Sequence, residues 1–117
     1  MANNLKKFPN TEYLYFEPKD CTHPKRLVQK VDVEREVTKN GANDSFTIAR
    51  LYTNDKNCLG IRWNIASDQF KDKRCEKGEL RCLGFPYSHA HPTWFILPQG
   101  AKIEDNKLII PLPPKKE

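Results

Sequence analysis

The sequence contains no apolar run long enough to cross a membrane. A membrane-spanning helix needs about 20 consecutive apolar residues, and none of the apolar stretches in the 117 residues approaches that length. The N-terminal residues MANNLKKFPNTEY also lack the apolar core of a signal peptide. These absences predict a cytoplasmic protein that does not contact a membrane and whose thiols stay reduced.

Paired cysteine motifs and glycine-rich phosphate loops are missing as well. The four cysteines form no C-x-x-C pair, so the usual redox and zinc-knuckle patterns are not indicated. The five glycines are isolated and match neither the Walker nor the dinucleotide-binding pattern. The sequence therefore argues against an ATP- or NAD-dependent enzyme, and we expect no cofactor.

The composition is that of one basic globular domain. Hydrophobic residues make up 38% and charged residues 30% of the chain, and the formal net charge is +5. The basic residues are spread along the chain, so a solvated surface explains the charge as well as contact with a polyanion does. We expect a flexible arm at residues 1–10, one globular domain at 11–113 and a flexible tail at 114–117.

Alternation of apolar and polar residues predicts a three-stranded antiparallel meander over residues 27–65. Residues 45–53 and 58–65 alternate most clearly, and turn chemistry lies before each of them at NGAND (40–44) and NDKN (54–57). Residues 27–37 fit a strand better than a helix because valines recur on one parity. Near the C-terminus, Asp105-Asn106 predicts a two-residue hairpin turn.

The proline-bounded runs 81–86 and 93–98 predict further strands. We expect residues 93–97 to form a central core strand, with Trp63, Trp94 and Phe95 buried. Residues 66–80 are highly charged and fit either a loop or one or two helical turns capped by Ser67 or Asp68.

The predicted fold class is mostly β, a small antiparallel barrel or sandwich of about six to eight short strands. The alternative is an α+β fold with one short helix from residues 27–37 or 66–77.

A metal site is the first chemical candidate. Cys75, Cys82, His89 and His91 follow one another as C-x6-C-x6-H-x-H, and thiolates and imidazoles are the ligands that zinc prefers. The spacing is too wide for a zinc knuckle, and two histidines one residue apart on a strand point to opposite faces. Buried cysteines and surface histidines explain the pattern better, so we expect no metal site.

Catalysis is the second candidate. No nucleophile elbow such as G-x-S-x-G is present. The alternative is a metal-independent, ribonuclease-like enzyme in which His89 or His91 acts with Arg62 or Arg74 and with Glu79. Because nothing in the sequence selects these residues, a non-enzymatic protein is favoured.

Nucleic-acid binding has the most physical support, since a sheet face with aromatic and basic residues can stack bases and hold phosphates. The predicted nucleic-acid-binding residues are Arg50, Arg62, Lys71, Lys73, Arg74, Tyr52 and Tyr87. A wider set adds Tyr13, Tyr15 and Trp94 for stacking and Lys25 and Arg26 for phosphates. Alternatively, the tyrosines are half-buried core residues with solvated hydroxyls.

A protein-interaction module is the third class. An exposed edge strand can pair with a strand of a partner. The proline-rich segment 109–116, IIPLPPKK, can adopt the extended polyproline geometry that partner domains bind. Either feature would serve a regulatory or accessory protein.

Overall fold

The computed structural model describes residues 5–25, 27–39, 41–54 and 56–115. These residues form ten strands and one short α-helix: β1 (Leu5–Lys7), β2 (Leu14–Phe16), β3 (Lys30–Thr38), β4 (Ser45–Tyr52), β5 (Asn57–Trp63), α1 (Lys73–Glu76), β6 (Tyr87–Ser88), β7 (His91–Pro92), β8 (Phe95–Ile96), β9 (Lys102–Glu104) and β10 (Lys107–Ile109). All strand pairs between them are antiparallel. The mostly β fold class is therefore confirmed.

The largest sheet has four strands in the order β3-β4-β5-β8. The first three are the meander predicted from residues 27–65, which is confirmed with a bulge between Val33 and Arg35. Three two-stranded hairpins accompany this sheet: β1-β2, β6-β7 and β9-β10. The β9-β10 turn consists of Asp105 and Asn106, both at positive φ, as the hairpin prediction required.

One face of the four-stranded sheet packs against the main core. Ala49, Leu51 and Cys58 lie on this face, and they pack with Phe16, Cys21, Val28, Val31 and Trp94. All four cysteines of the chain are free and buried. Trp94 is anchored here because its indole Nε1–H donates to the Cys21 carbonyl at 2.7 Å.

The opposite face is only partly covered. There, Ile48 and Leu59 are buried beneath Ala101, together with Leu97, Ile103 and Leu108 of the β9-β10 region. The cover reaches Phe46, which packs against this cluster, but not Trp63, its partner across β4 and β5 at one end of the sheet. Trp63 is 43% exposed, so its assignment to the core was wrong.

The strand at 93–97 also differs from its prediction. It is reduced to β8, a two-residue strand at the edge of the sheet, and Phe95 is 46% exposed rather than buried. Only Trp94 of the predicted core pair is buried. β8 pairs with β5 on one side, and no described strand pairs with its other side. The apolar run is therefore at the edge of the sheet rather than between two strands.

Two further expectations need correction. Leu5–Lys7 belong to the expected flexible arm but form β1 and pair with β2, where the Lys6 ammonium contacts Glu36 at 2.9 Å. Residues 66–80 form a 3₁₀ helix, Ser67–Lys71, followed by α1. The cap of α1 is Asp72, whose carboxylate accepts from the Arg74 backbone N–H at 2.9 Å, rather than Ser67 or Asp68.

Within the described ranges, no helix combines the length and the apolar character that crossing a membrane would require.

Candidate functional site

Arg62 does not lie on a solvent-facing surface, which corrects its prediction as a nucleic-acid contact. The residue is 2% exposed because it pairs with Thr47 on the covered face of β5. Its guanidinium donates to the carbonyls of Leu83, Pro86 and Thr93, at 3.2 Å in the case of Pro86. Burial lowers the pKa of Arg62. Arg62 is thus a structural anchor for the segment 83–93.

Arg50 and Tyr52 share one face of β4 but lie away from the other predicted contacts. Arg50 hydrogen-bonds Asn57 and lies 3.8 Å from the carboxylate of Glu34, and the ammonium of Lys30 lies over the ring of Tyr52 at 5.3 Å. Tyr52 lies about six residues along β4 from Phe46, the partner of Trp63. About 20 Å therefore separate Tyr52 from the end of the sheet that carries Trp63.

The predicted basic residues of α1 and of the preceding 3₁₀ helix lie apart from the sheet face. Arg74 is engaged with Asp72 at 3.1 Å, while Lys71 and Lys73 are exposed. Of the wider set, Tyr15 and Trp94 are buried, Tyr13 packs edge-on against Phe70, and Arg26 lies outside the described residues.

Tyr87 alone among the predicted residues belongs to an exposed aromatic surface, which we call the aromatic platform. Its members are Phe46, Trp63, Phe85, Tyr87 and Phe95. Phe46 lies on β4, Trp63 on β5, Tyr87 on β6 and Phe95 on β8, whereas Phe85 precedes β6 and pairs with Trp63. Phe85 and Trp63 exchange two backbone hydrogen bonds, of 2.8 and 3.0 Å. This pairing places their side chains on the same side of the sheet.

Shared cavity linings join the rings of the platform, since Trp63 lines one cavity with Phe95 and another with Phe85 and Tyr87. Ring centroids of Phe46 and Trp63 are 5.7 Å apart, and those of Phe85 and Phe95 are 5.5 Å apart. Four of its five rings are more than two-fifths exposed, namely Trp63, Phe85, Tyr87 and Phe95. Single exposed aromatics need no explanation, but a contiguous exposed group marks a binding surface.

A row of paired residues sets the length of this surface. Val37, Phe46, Trp63 and Phe85 are successive partners across four chain segments. Neighbouring strands lie about 4.8 Å apart, so the aromatic part of the row, from Phe46 to Phe85, spans about 10 Å. Its three rings can accommodate two or three planar groups.

Two buried polar side chains hold the segment that carries Phe85 and Tyr87. Arg62 binds three of its carbonyls, as described above, and Gln69 binds the backbone of Gly84 through both ends of its amide. Gly84 has φ of 72° and a Cβ there would lie 2.3 Å from the Arg62 guanidinium. The close approach therefore requires glycine at this position.

A basic groove adjoins the platform. It is a cavity of about 390 Å³ between the β9-β10 hairpin and the sheet, and its lining includes Phe46, Ile61 and the three cations Arg35, Lys39 and Lys107. In the part of the chain that the structure describes, no acidic residue lines this groove and none of the three cations has an ion-pair partner. The groove is therefore a concave region of uncompensated positive charge.

The basic groove and the platform share a wall. A second cavity, of about 220 Å³, is lined by Phe46, Ile61, Arg62, Trp63 and Phe95. It shares Phe46 and Ile61 with the basic groove, and its exposed surface is almost entirely apolar. The basic groove and the aromatic platform are therefore adjacent at this end of the sheet.

The histidines form a separate cluster. The ring of His91 stacks on that of His23 at 4.4 Å, and His89 lies in the β6-β7 turn at positive φ. Burial and the neighbouring imidazoles lower the pKa of His23. His23 and His91 line a cavity of about 140 Å³ together with Asp20 and Lys25.

The four residues considered for zinc separate into two places. Cys75 packs against Cys82 in a buried cluster with Tyr15 and Ile65, whereas His91 contacts His23. Burial raises the pKa of Cys82 to about 12, so its thiol is protonated near neutral pH. Among the described residues, no group of three or more His, Cys, Asp or Glu side chains is arranged to hold a metal ion.

Sequence reasoning missed most of the aromatic platform and all of the basic groove. Large aromatic residues were assigned to the core by type, yet Trp63 and Phe95 lie beyond the cover of the β9-β10 hairpin. The alternation of Ile61, Arg62 and Trp63 gave no signal of this, because the same pattern results whichever face of the strand is covered.

Comparison of the chain with protein-family models, with curated proteins and with solved structures found no match in any of the three. The geometry of the platform and groove therefore carries the functional inference.

Proposed function

We propose that the protein binds single-stranded nucleic acid, with bases on the aromatic platform and phosphates in the basic groove. The observation that carries this proposal is the shared wall of Phe46 and Ile61, which makes the cationic and aromatic surfaces adjacent. Proteins that bind single strands combine these two elements, a positive groove that follows the backbone and rings on which bases stack.

The aromatic platform supplies the stacking. Its row of Phe46, Trp63 and Phe85 spans about 10 Å and offers two or three rings for bases, and each base stacked on an aromatic ring contributes roughly 1–3 kcal/mol. A duplex would bury its base faces within the helix, so an exposed row of rings favours unpaired bases. Trp63 is the central stacking residue because Phe46 and Phe85 flank it across the sheet.

The basic groove supplies the electrostatic attraction. Arg35 is held toward the hairpin by a hydrogen bond to Asn106 at 3.1 Å, and Lys39 and Lys107 line the same groove. Nearby carboxylates have other partners, since Glu36 contacts Lys6 and Glu104 contacts Lys102. Three unpaired cations predict a salt dependence with a log–log slope of about −2 for single strands.

A fluorescence-anisotropy titration with a labelled ten-nucleotide single strand of DNA and then RNA tests the proposal. Trp63→Ala should weaken binding about tenfold, which corresponds to the loss of one stacked base. The double variant Lys39→Ala/Lys107→Ala should also weaken binding and should reduce the salt slope.

The matched control is Lys73→Ala/Lys77→Ala, which removes the same charge from the exposed surface of α1 and the residue after it. We expect near-wild-type affinity for it. Equal weakening of the two double variants would indicate a response to net charge alone and would contradict the groove. Tighter binding of a duplex than of the single strand would contradict the platform.

The histidine cavity favours a second candidate function, metal-independent cleavage of RNA. His23 and His91 with Lys25 bring two imidazoles and a cation into one cavity, which is the set of groups that such a reaction needs. Compared with the catalytic set predicted from the sequence, His23 takes the place of His89 beside His91. Arg62 cannot serve as the cation of the reaction because it is buried. RNA cleavage that is lost in His91→Ala would support this function; cleavage that persists in the variant, or no cleavage at all, would refute it.

A further inference from the structure

A further cavity lies outside the basic groove. It has a volume of about 480 Å³, and its walls include Trp63, Phe70, Phe85 and Tyr87. The rings of Phe85 and Tyr87 stand at 82° to each other with centroids 6.3 Å apart, so they form adjoining walls rather than a stack. Four aromatic side chains therefore line one cavity.

The charge of this cavity is opposite to that of the basic groove. Asp68 and Ser67, from the 3₁₀ helix Ser67–Lys71, supply its charged and polar lining, and none of the described lining residues is basic. Asp68 has no ion-pair partner among the described residues. Lys71 lies on the same helix but does not line the cavity.

We propose that this cavity is an aromatic cage for a methylated ammonium group. Ring faces carry negative charge from their quadrupoles and attract a cation within about 6 Å of their centroids. The carboxylate of Asp68 adds a full negative charge, whereas the methyl groups of the ligand remove apolar surface from water against the rings. A neutral ligand would gain nothing from Asp68, and an anion would be repelled by it.

The cage goes beyond the proposed nucleic-acid function and does not depend on it. Lys39 and Lys107 select an anion in the basic groove, and Asp68 selects a cation in the cage, so one ligand does not suit both. Trp63, Phe85 and Tyr87 line the cage and also belong to the aromatic platform, whereas Asp68 lines the cage and lies outside the platform. Asp68→Asn therefore addresses the cage alone, and Tyr87→Ala is expected to affect both surfaces.

A two-dimensional NMR titration of the full chain with choline tests the cage. We expect the indole N–H signal of Trp63 and the amides near Asp68 to shift, with millimolar affinity. The matched ligand control is 3,3-dimethylbutan-1-ol, which has the same shape without the charge and should bind at least fivefold more weakly. Equal binding of the two compounds would show an apolar cavity and would overturn the proposal, as would no binding of choline.

Variants separate the cage from a general charge effect. Asp68→Asn should weaken choline binding about fivefold or more, whereas Glu79→Gln, which removes an exposed carboxylate outside the cavity, should not. Tyr87→Ala should weaken it as well, with melting temperatures showing that each variant is folded. Unchanged affinity in Asp68→Asn would overturn the proposal.

A second arm identifies the source of the group. A peptide that contains trimethyllysine is compared with choline and with the same peptide unmethylated. Tighter binding of the methylated peptide supports a protein side chain as the ligand, and tighter binding of choline supports a small molecule. Binding of the unmethylated peptide as tight as that of the methylated one would contradict the cage.

Discussion

Replacement of Arg62 by methionine should lower the free energy of unfolding by about 2–4 kcal/mol. Three hydrogen bonds from a charged donor contribute roughly 1.5–3 kcal/mol each, or about 4.5–9 kcal/mol together. Burial of the guanidinium opposes this by several kcal/mol, which leaves the smaller net value. Methionine keeps most of the apolar stem, so the loss reports the hydrogen bonds to the segment 83–93.

Urea denaturation followed by tryptophan fluorescence and circular dichroism measures this change. The control is Arg50→Met on the neighbouring strand, whose guanidinium contacts Asn57 and Glu34 at a partly exposed position; we expect a loss below about 1 kcal/mol. Because Arg62 positions the segment that carries Phe85, the Arg62 variant should also bind single strands more weakly. A loss below about 0.5 kcal/mol with unchanged binding would refute the anchoring role.

Three further predictions concern the core and the titrating groups. Trp94→Ala should lower the free energy of unfolding by about 3–5 kcal/mol and Phe95→Ala by less than about 1.5 kcal/mol, because only the first is buried; equal losses in urea denaturation would contradict the edge position of β8. Burial raises the pKa of Cys82 to about 12, so this thiol should resist a disulfide reagent at pH 8 until urea unfolds the chain; rapid labelling of the native protein would contradict its burial. The pKa of His23 is lowered from 6.5 in the folded state by burial and by His91 and His89, so its contribution to stability is present above about pH 6.5 and declines as the pH falls below that. His23→Gln should flatten this decline in the pH dependence of the melting temperature, and an unchanged profile would contradict it.

The sequence predicted those parts of the fold that local patterns determine. Alternation along residues 45–53 and 58–65 identified β4 and β5, and the turn residues Asp105 and Asn106 identified the last hairpin. These predictions depended only on residues close together in the chain. The short helical turns in residues 66–80 were also anticipated as an alternative.

The face that each strand buries could not be predicted in the same way. It depends on which segments cover the sheet, and the β9-β10 hairpin covers Ile48 and Leu59 but not Trp63. The segment 83–93 covers the other face of β5, so Arg62 is buried where its parity suggested exposure. Such covering is a long-range property that alternation does not encode.

The candidate site was predicted only in its chemistry. Aromatic stacking combined with basic residues was the expected principle, and Tyr87 is the one predicted residue that lies on the aromatic platform. The remaining members come from separate segments, with Phe46 on β4, Trp63 on β5 and Lys107 on β10. Only the folded arrangement brings them together.

Binding of single-stranded nucleic acid is tested by a two-dimensional NMR titration of the labelled protein with a short unpaired oligonucleotide at low and moderate salt. We expect shifts to concentrate on Phe46, Trp63 and the basic-groove residues Lys39 and Lys107 and to diminish as salt rises. Shifts confined to residues 71–77, or a spectrum unmoved by excess ligand at low salt, would contradict it.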